Sequence, residues 1–191
     1  MRCTGRQDRP IGRRRRSVTA LDIAKNRLAR LSENLARLGL GANVVCADAR
    51  VFTPPALFDA VLLDAPCSST GTLRRHPDVA WTKTPADIAN LERIQLELLD
   101  AALRLVRPGG MIVYANCSLL KAEGEHLLAR WLAANPACAI VPVTAQTDGA
   151  ALAAFADPAG CLRTTPLDMP HANPALSGMD GFFAARLTRL T

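Results

Sequence analysis

Along this chain, short apolar runs rich in β-branched residues alternate with longer stretches of helical period, and three of the runs close on or near an aspartate. That alternation restricts the chain to an α/β fold with a mostly parallel sheet. "VTALD" (18–22) predicts a strand ending in Asp22, and "AKNRLARLSENLARLGL" (24–40) predicts an amphipathic helix stopped by Gly39, with Leu28, Leu31, Leu35 and Leu38 on one face. "NVVCADA" predicts a second strand ending near Asp48, and "FDAVLLDAPC" a third, apolar enough to be buried on both faces. "TPADIANLERIQLELLDAALRLVRPGG" predicts one long helix from a Thr cap and a first-turn Pro to Pro-Gly-Gly. Strands over "MIVYANCS", "CAIVPV" and "DGFFAARLTR", a helix over "KAEGEHLLARWLAAN" and a long irregular loop over 144–178 complete the expected order.

Length and hydrophobic content, 191 residues and 49%, suit one domain with a real core. The formal charge of +6 comes from residues 1–16, which hold seven arginines and one acid, while the rest of the chain is balanced. The polyanion-binding surface such a charge normally implies is therefore not a property of the body. No apolar run is long enough to span a bilayer, and none follows the basic start as a signal peptide requires, so the expected setting is the cytoplasm, without a membrane partner. None of the six cysteines falls in a CxxC or CxxH pair, which predicts reduced thiols and no metal site.

In open α/β sheets ligands bind beyond the carboxyl ends of the strands, so Asp22, Asp48 and Asp64 are expected to face one crevice. An acid after the second strand suits the ribose hydroxyls of a nucleoside and the next an adenine amino group; each could instead cap a following helix. Two cysteines belong to the same rim, Cys67 in "DAPCSSTGTLRRHPDVAW" (64–81) and Cys117 in "YANCS" (114–118). Pro66 stiffens one turn, and hydroxyls and backbone donors surround both sulfurs, an environment in which a thiol can ionise and reach a substrate. Cys46, Cys138 and Cys161 are expected to be inert core thiols. Arg74, Arg75 and His76 could touch a phosphate or lie in a solvated loop, Trp81 is expected to be a packing anchor, and neither His126 nor His171 is expected to be a ligand.

"DAPCSSTG", "YANCS", "RTTP" (163–166) and "DGFFAARL" (180–187), supported by "VTALDIAKNRLARLSENLARLGL", resemble the Nop/Sun family of RNA cytosine-5 methyltransferases, and within it the bacterial Sun/Fmu type that acts on 16S rRNA. The resemblance runs from Val18 to about Leu187, with Asn116 standing where the family usually has Thr. It implies a Rossmann-like, S-adenosylmethionine-dependent fold with helices on both faces of the sheet, an RNA substrate (16S rRNA, or alternatively tRNA), and a monomer. It further implies Cys117 as the nucleophile at cytosine C6, Cys67 as an aid to product release, Asp64 on the cytosine N3/N4 edge and against the cofactor, and Asp22 and Asp48 on ribose and adenine. DNA cytosine-5 methyltransferases use the cysteine of their Pro-Cys motif instead, so the reverse assignment of Cys67 and Cys117 stands as the runner-up. The residues also admit an RNA-binding or partner module with a decayed site, a nicotinamide-dependent Rossmann enzyme or an amino methyltransferase; the last two leave the paired cysteines unexplained.

The family's first, central strand and its glycine loop, close to Cys-Ala-Ala-Pro-Gly-Gly-Lys-Thr, have no counterpart before Ser17, since Gly5, Pro10 and the arginine run cannot make that strand. Moved one base forward, codons for "MRCTGRQDRP" can spell Cys-Ala-Ala-Pro-Gly-Gly-Lys-Thr-Ala. Residues 1–16 are therefore expected to be an out-of-frame reading, and 17–191 a catalytic domain incomplete at its N-terminus. Such a chain should bind S-adenosylmethionine weakly and transfer methyl poorly; micromolar binding in a calorimetric titration would contradict this.

Overall fold

A computed structural model describes residues 17–191, so the expectation for residues 1–16 lies outside the described residues. The chain divides after Phe52 into two compact units.

In the first unit, β1 (Thr19–Asp22) pairs in parallel with β2 (Asn43–Cys46), Asp22 lying level with Cys46, and α1 (Lys25–Leu38) links them. Gly39 ends α1 as foreseen, at φ 62°, a left-handed conformation that glycine adopts at little cost. On its leucine face Leu28 is buried, Leu31 and Leu35 are half-buried, and Leu38 is exposed. Cys46 is exposed rather than a core thiol, because the residue ends its strand on the outward side.

In the second unit a mixed sheet has the order β3-β4-β7-β5, with β6 also on β7. Its strands are β3 (Phe58–Asp64), β4 (Val106–Asn116), β5 (Cys138–Ile140), β6 (Leu162–Thr164) and β7 (Phe182–Arg189). β3 and β4 run parallel, whereas β7 is antiparallel to β4, β5 and β6. α2 (Pro85–Leu105) begins with a capping box between Thr84 and Asp87, and α3 (Glu125–Ala134) follows a 3-10 turn at Lys121–Glu123. The core gathers Leu99, Val106, Ile112, Tyr114, Leu127, Trp131, Phe183 and Leu187, with Tyr114 and Phe183 in an edge-on contact at 6.1 Å.

Four expectations change. β3 is not buried on both faces: Val61 and Leu63 pack on the core, while Leu62 is 74% exposed. Among the described residues, β3 is hydrogen-bonded to a strand on one edge only. The long helix ends at Leu105, and Val106–Gly110 already belong to β4, where the register against β3 shifts between Phe58 and Ala60. The 144–178 segment holds two single-turn helices (Ala145–Asp148 and Ala150–Ala153), strand β6 and a 3-10 turn at Pro174–Leu176. Trp81 is 90% exposed at the end of a 3-10 turn, so it anchors no packing among the described residues.

Candidate active site

The parallel pair β3–β4 delivers two loops to one place. Asp64 ends β3 opposite Ala115 of β4, and the Ala65 N–H donates to the Ala115 carbonyl at 2.9 Å, so both chains leave the sheet together. Cys67 and Cys117 follow within a few residues, and their Sγ atoms lie 3.5 Å apart, both partly exposed. Burial, together with the Cys117 sulfur beside it, pushes the Cys67 thiol up to about 12, so Cys67 is a neutral thiol near pH 7.

The backbone closes the pocket around this pair. Gly71 N–H donates to the Cys117 carbonyl at 2.9 Å, and Gly181 N–H donates to the Gly71 carbonyl at 2.8 Å. No side chain fits at Gly71, where a Cβ would run into the Gly181 carbonyl and the Cys117 oxygen. The "DAPCSSTG", "YANCS" and "DGFF" segments thus meet at main-chain distance. Arg163 of "RTTP" joins them: it donates to the Ser118 carbonyl at 2.6 Å, pairs with Glu125, and stacks over the Phe183 ring at 4.9 Å. Burial raises the Glu125 carboxyl, but the Arg163 guanidinium outweighs it and leaves the group below its ordinary value.

Around the sulfurs lies a buried polar network of Ser68, Gln95, Tyr114, Asn116, Ser118 and Glu123, in which the sequence singled out Asn116 and the two serines but not Gln95, Tyr114 or Glu123. Tyr114 donates its hydroxyl to the Glu123 carbonyl at 2.7 Å and lies 3.1 Å from Gln95 Oε1. Asn116, where the family usually has Thr, donates to the same carbonyl at 2.8 Å and accepts the Ser118 N–H at 3.0 Å, so its amide holds the turn that carries Cys117. Positions of this kind carry no sequence signature, because Gln95 and Glu123 read as ordinary surface residues of amphipathic segments.

Of the remaining expected site residues, Asp64 is exposed at the rim of β3. Asp22 and Asp48 belong to the first unit, Asp22 as the last residue of β1 and Asp48 two residues after β2. Asp22 pairs with Arg27 at 2.7 Å and accepts the Ala24 N–H, and Asp48 pairs with Arg50 at 2.6 Å; the arginines hold both carboxyls below their ordinary values. Arg74 donates to the Ser177 carbonyl and Arg75 pairs with Asp180, so these two arginines tie loops together, while His76 is exposed. Cys138 and Cys161 are buried as expected, and His126 and His171 are exposed.

The sequence profile of the 16S rRNA methyltransferases RsmB/F matches residues 11–188. Ribosomal RNA small subunit methyltransferase B of Vibrio vulnificus is 43% identical over 137 residues, covering 70% of this chain and 32% of that protein. The protein of the same name from Pseudomonas syringae is 39% identical over 179 residues, covering 91% of this chain and 37% of its own length. The chain thus spans about a third of the length of the curated relatives it matches. Among solved structures, NSun6 from Pyrococcus horikoshii with SFG superposes with a TM-score of 0.70 at 26% identity, over 92% of this chain and 42% of that one. A methyltransferase homolog protein from the same organism gives 0.67 at 28% identity, over 91% and 53%. The fold is therefore the Rossmann-like α/β fold of methyltransferases.

Proposed function

Because the chain belongs to the 16S rRNA methyltransferase RsmB/F family, we propose that its site performs S-adenosylmethionine-dependent methylation of cytosine C5 in RNA, with 16S rRNA as the substrate. The observation that carries this reading is the 3.5 Å approach of Cys67 Sγ and Cys117 Sγ on two loops at one sheet end. Cytosine C5 is too poor a nucleophile to take a methyl group unaided. In this reading the Cys117 thiolate adds at C6 and turns C5 into an enamine carbon, so that one hard step becomes two easier ones. S-adenosylmethionine, when bound, supplies the methyl group that C5 accepts. Water then takes the C5 proton, the C5–H electron pair restores the C5–C6 double bond, and the C6–sulfur bond breaks with its electron pair returning to Cys117.

The neutral Cys67 thiol suits the last step, because it can donate a hydrogen bond to the departing Cys117 thiolate beside it. The reverse assignment would make Cys67 the nucleophile and Cys117 its neighbour at 3.5 Å, and the adduct test below separates the two. Asp64, exposed at the strand end, is placed by the reading on the cytosine N3/N4 edge. The donor set of the first unit also fits the cofactor: Asp22 and Asp48 lie at or just past two parallel strand ends, each paired with an arginine within five residues, and carboxylates there can accept ribose hydroxyls or an adenine amino group. Residues 1–16 enter the proposal as an out-of-frame reading of the family's glycine loop.

The test incubates 16S rRNA and S-adenosylmethionine with the chain and, side by side, with its frame-corrected form. Cys67→Ala should accumulate a denaturation-resistant RNA adduct, and Cys117→Ala should give none. An adduct with Cys117→Ala but not with Cys67→Ala inverts the two roles, and RNA binding without methylation by the frame-corrected protein favours a binding module.

A further inference from the structure

We propose that Glu123 is the positioning residue of this site: its carboxylate clamps the two cysteine loops to each other and sets the separation of the two sulfurs. Glu123 is 0% exposed and follows β4 by seven residues, as the buried end of the Lys121–Glu123 3-10 turn. Its Oε1 accepts the Ser68 N–H at 2.9 Å and the Gln95 side-chain amide at 3.0 Å. Its Oε2 accepts the Ser68 hydroxyl at 2.5 Å and the Ser118 hydroxyl at 2.6 Å. Ser68 and Ser118 are the residues immediately after Cys67 and Cys117, so the carboxylate grips each loop one residue from its thiol.

Further contacts fix the clamp. The Glu123 carbonyl accepts from Tyr114 and Asn116 at the end of β4, and Gln95 also donates to the Pro66 carbonyl at 2.8 Å, just before Cys67. The Thr70 hydroxyl accepts the Leu119 N–H at 3.0 Å, which joins the loops alongside the bond from Gly71 N–H to the Cys117 carbonyl. An isolated buried carboxylate is strongly unfavourable, and this one is tolerated because four donors converge on it. An apolar residue would leave Ser68, Ser118 and Gln95 without this shared acceptor, so the bonds that remain between the loops would no longer fix each serine beside its thiol. The carboxylate therefore specifies geometry, and misplacing reacting groups by about 1 Å can slow a reaction roughly 100-fold.

The clamp's effect on the sulfurs stands apart from any reaction; its effect on methyl transfer rests on the function proposed above. The test uses the thiol pair as a ruler. The chain is equilibrated in mixtures of reduced and oxidised glutathione, in which Cys67 and Cys117 are oxidised to a disulfide while one oxidised glutathione is reduced to two thiols. The disulfide is quantified by peptide mass mapping, and the equilibrium ratio reports the effective concentration of one sulfur at the other.

Wild type should form the Cys67–Cys117 disulfide, and Glu123→Ala should lower the ratio by about tenfold or more. Glu123→Gln, which keeps the shape and loses the charge, should lower it less. Arg186→Ala, which breaks the Asp148 pair elsewhere in the unit, should leave it unchanged. A wild type that forms no such disulfide overturns the proposal, as does a Glu123→Ala ratio within twofold of wild type or an equal fall in Arg186→Ala. If Glu123→Ala does not fold, Ser118→Ala severs one arm of the clamp and is judged by the same criterion. In single-turnover methylation of 16S rRNA by the frame-corrected protein, Glu123→Gln should slow the reaction and leave RNA affinity unchanged. A frame-corrected protein with Glu123 intact that transfers no methyl, while the ruler responds as expected, sinks the functional reading and supports the clamp; normal methylation with an unresponsive ruler does the reverse.

Discussion

Asp22 and Asp48 sit at or just past the ends of one pair of parallel strands, and Cys67 and Cys117 beyond another, yet the two pairs are held in opposite ways. Each acid is held by an arginine two to five residues away on an exposed surface. The sulfurs are held by bonds that join positions about 50 residues apart, from Ser68 to Glu123 and from Gly71 to Cys117. Local, solvated pairing leaves the acids adjustable, so a ligand can replace the arginine at little cost. Long-range, buried bonding fixes the thiols before any ligand arrives.

The largest effect expected from this contrast is chemical. Cys117→Ala should lower methyl transfer by the frame-corrected protein at least about 1,000-fold, read as labelled methyl on 16S rRNA, with the fold intact by circular dichroism. Residual activity near wild type would mean that the buried bonding does not serve a nucleophile. Next comes Tyr114→Phe, which strips a hydroxyl from the network and leaves the Glu123 carbonyl and Gln95 short of a partner. Denaturant unfolding should lose about 1–3 kcal/mol, the range for unsatisfied buried partners.

A smaller effect lies in the acid limb. Because Arg163 holds Glu125 below its ordinary value in the folded protein, the pair stabilises fully above the unfolded carboxyl value of 4.5. That contribution is lost as pH falls through the lower folded value. Glu125→Gln should flatten the stability profile below about pH 5, by about 1 kcal/mol or less for a partly exposed pair. The smallest effect belongs to the first unit: Arg27→Ala should leave denaturant unfolding essentially unchanged, and added salt should change the wild type no more. If Arg27→Ala destabilises as much as Tyr114→Phe, the contrast between local and long-range bonding fails.

The same contrast explains what could be read from the residues alone. Gly39 and the Thr84–Asp87 cap are local signals, and α1 and α2 begin and end close to where those signals put them, apart from Val106–Gly110. There Pro-Gly-Gly reads as a helix stop, but pairing with β3 draws it into the strand. Leu62 has the composition of a buried strand residue and is nonetheless exposed, because burial depends on what covers β3 and not on Leu62 itself. Cys67 and Cys117 were visible through their small polar neighbours. Glu123 was not, since nothing in "KAEGE" distinguishes a solvated glutamate from one that receives four hydrogen bonds, three of them from the distant Ser68 and Gln95.

The place of β7 between β4 and β5 has a consequence for biosynthesis. Until residues 182–189 have been made, the inner edge of β4 has no partner, and until Gly181 reaches Gly71 the cysteine loops lack one wall. A growing chain therefore carries both thiols on an unfinished scaffold, open to oxidants and wrong partners, from the addition of Cys117 until that of Phe182. Protection arrives late and all at once, when the final described strand slides between two that were waiting for it.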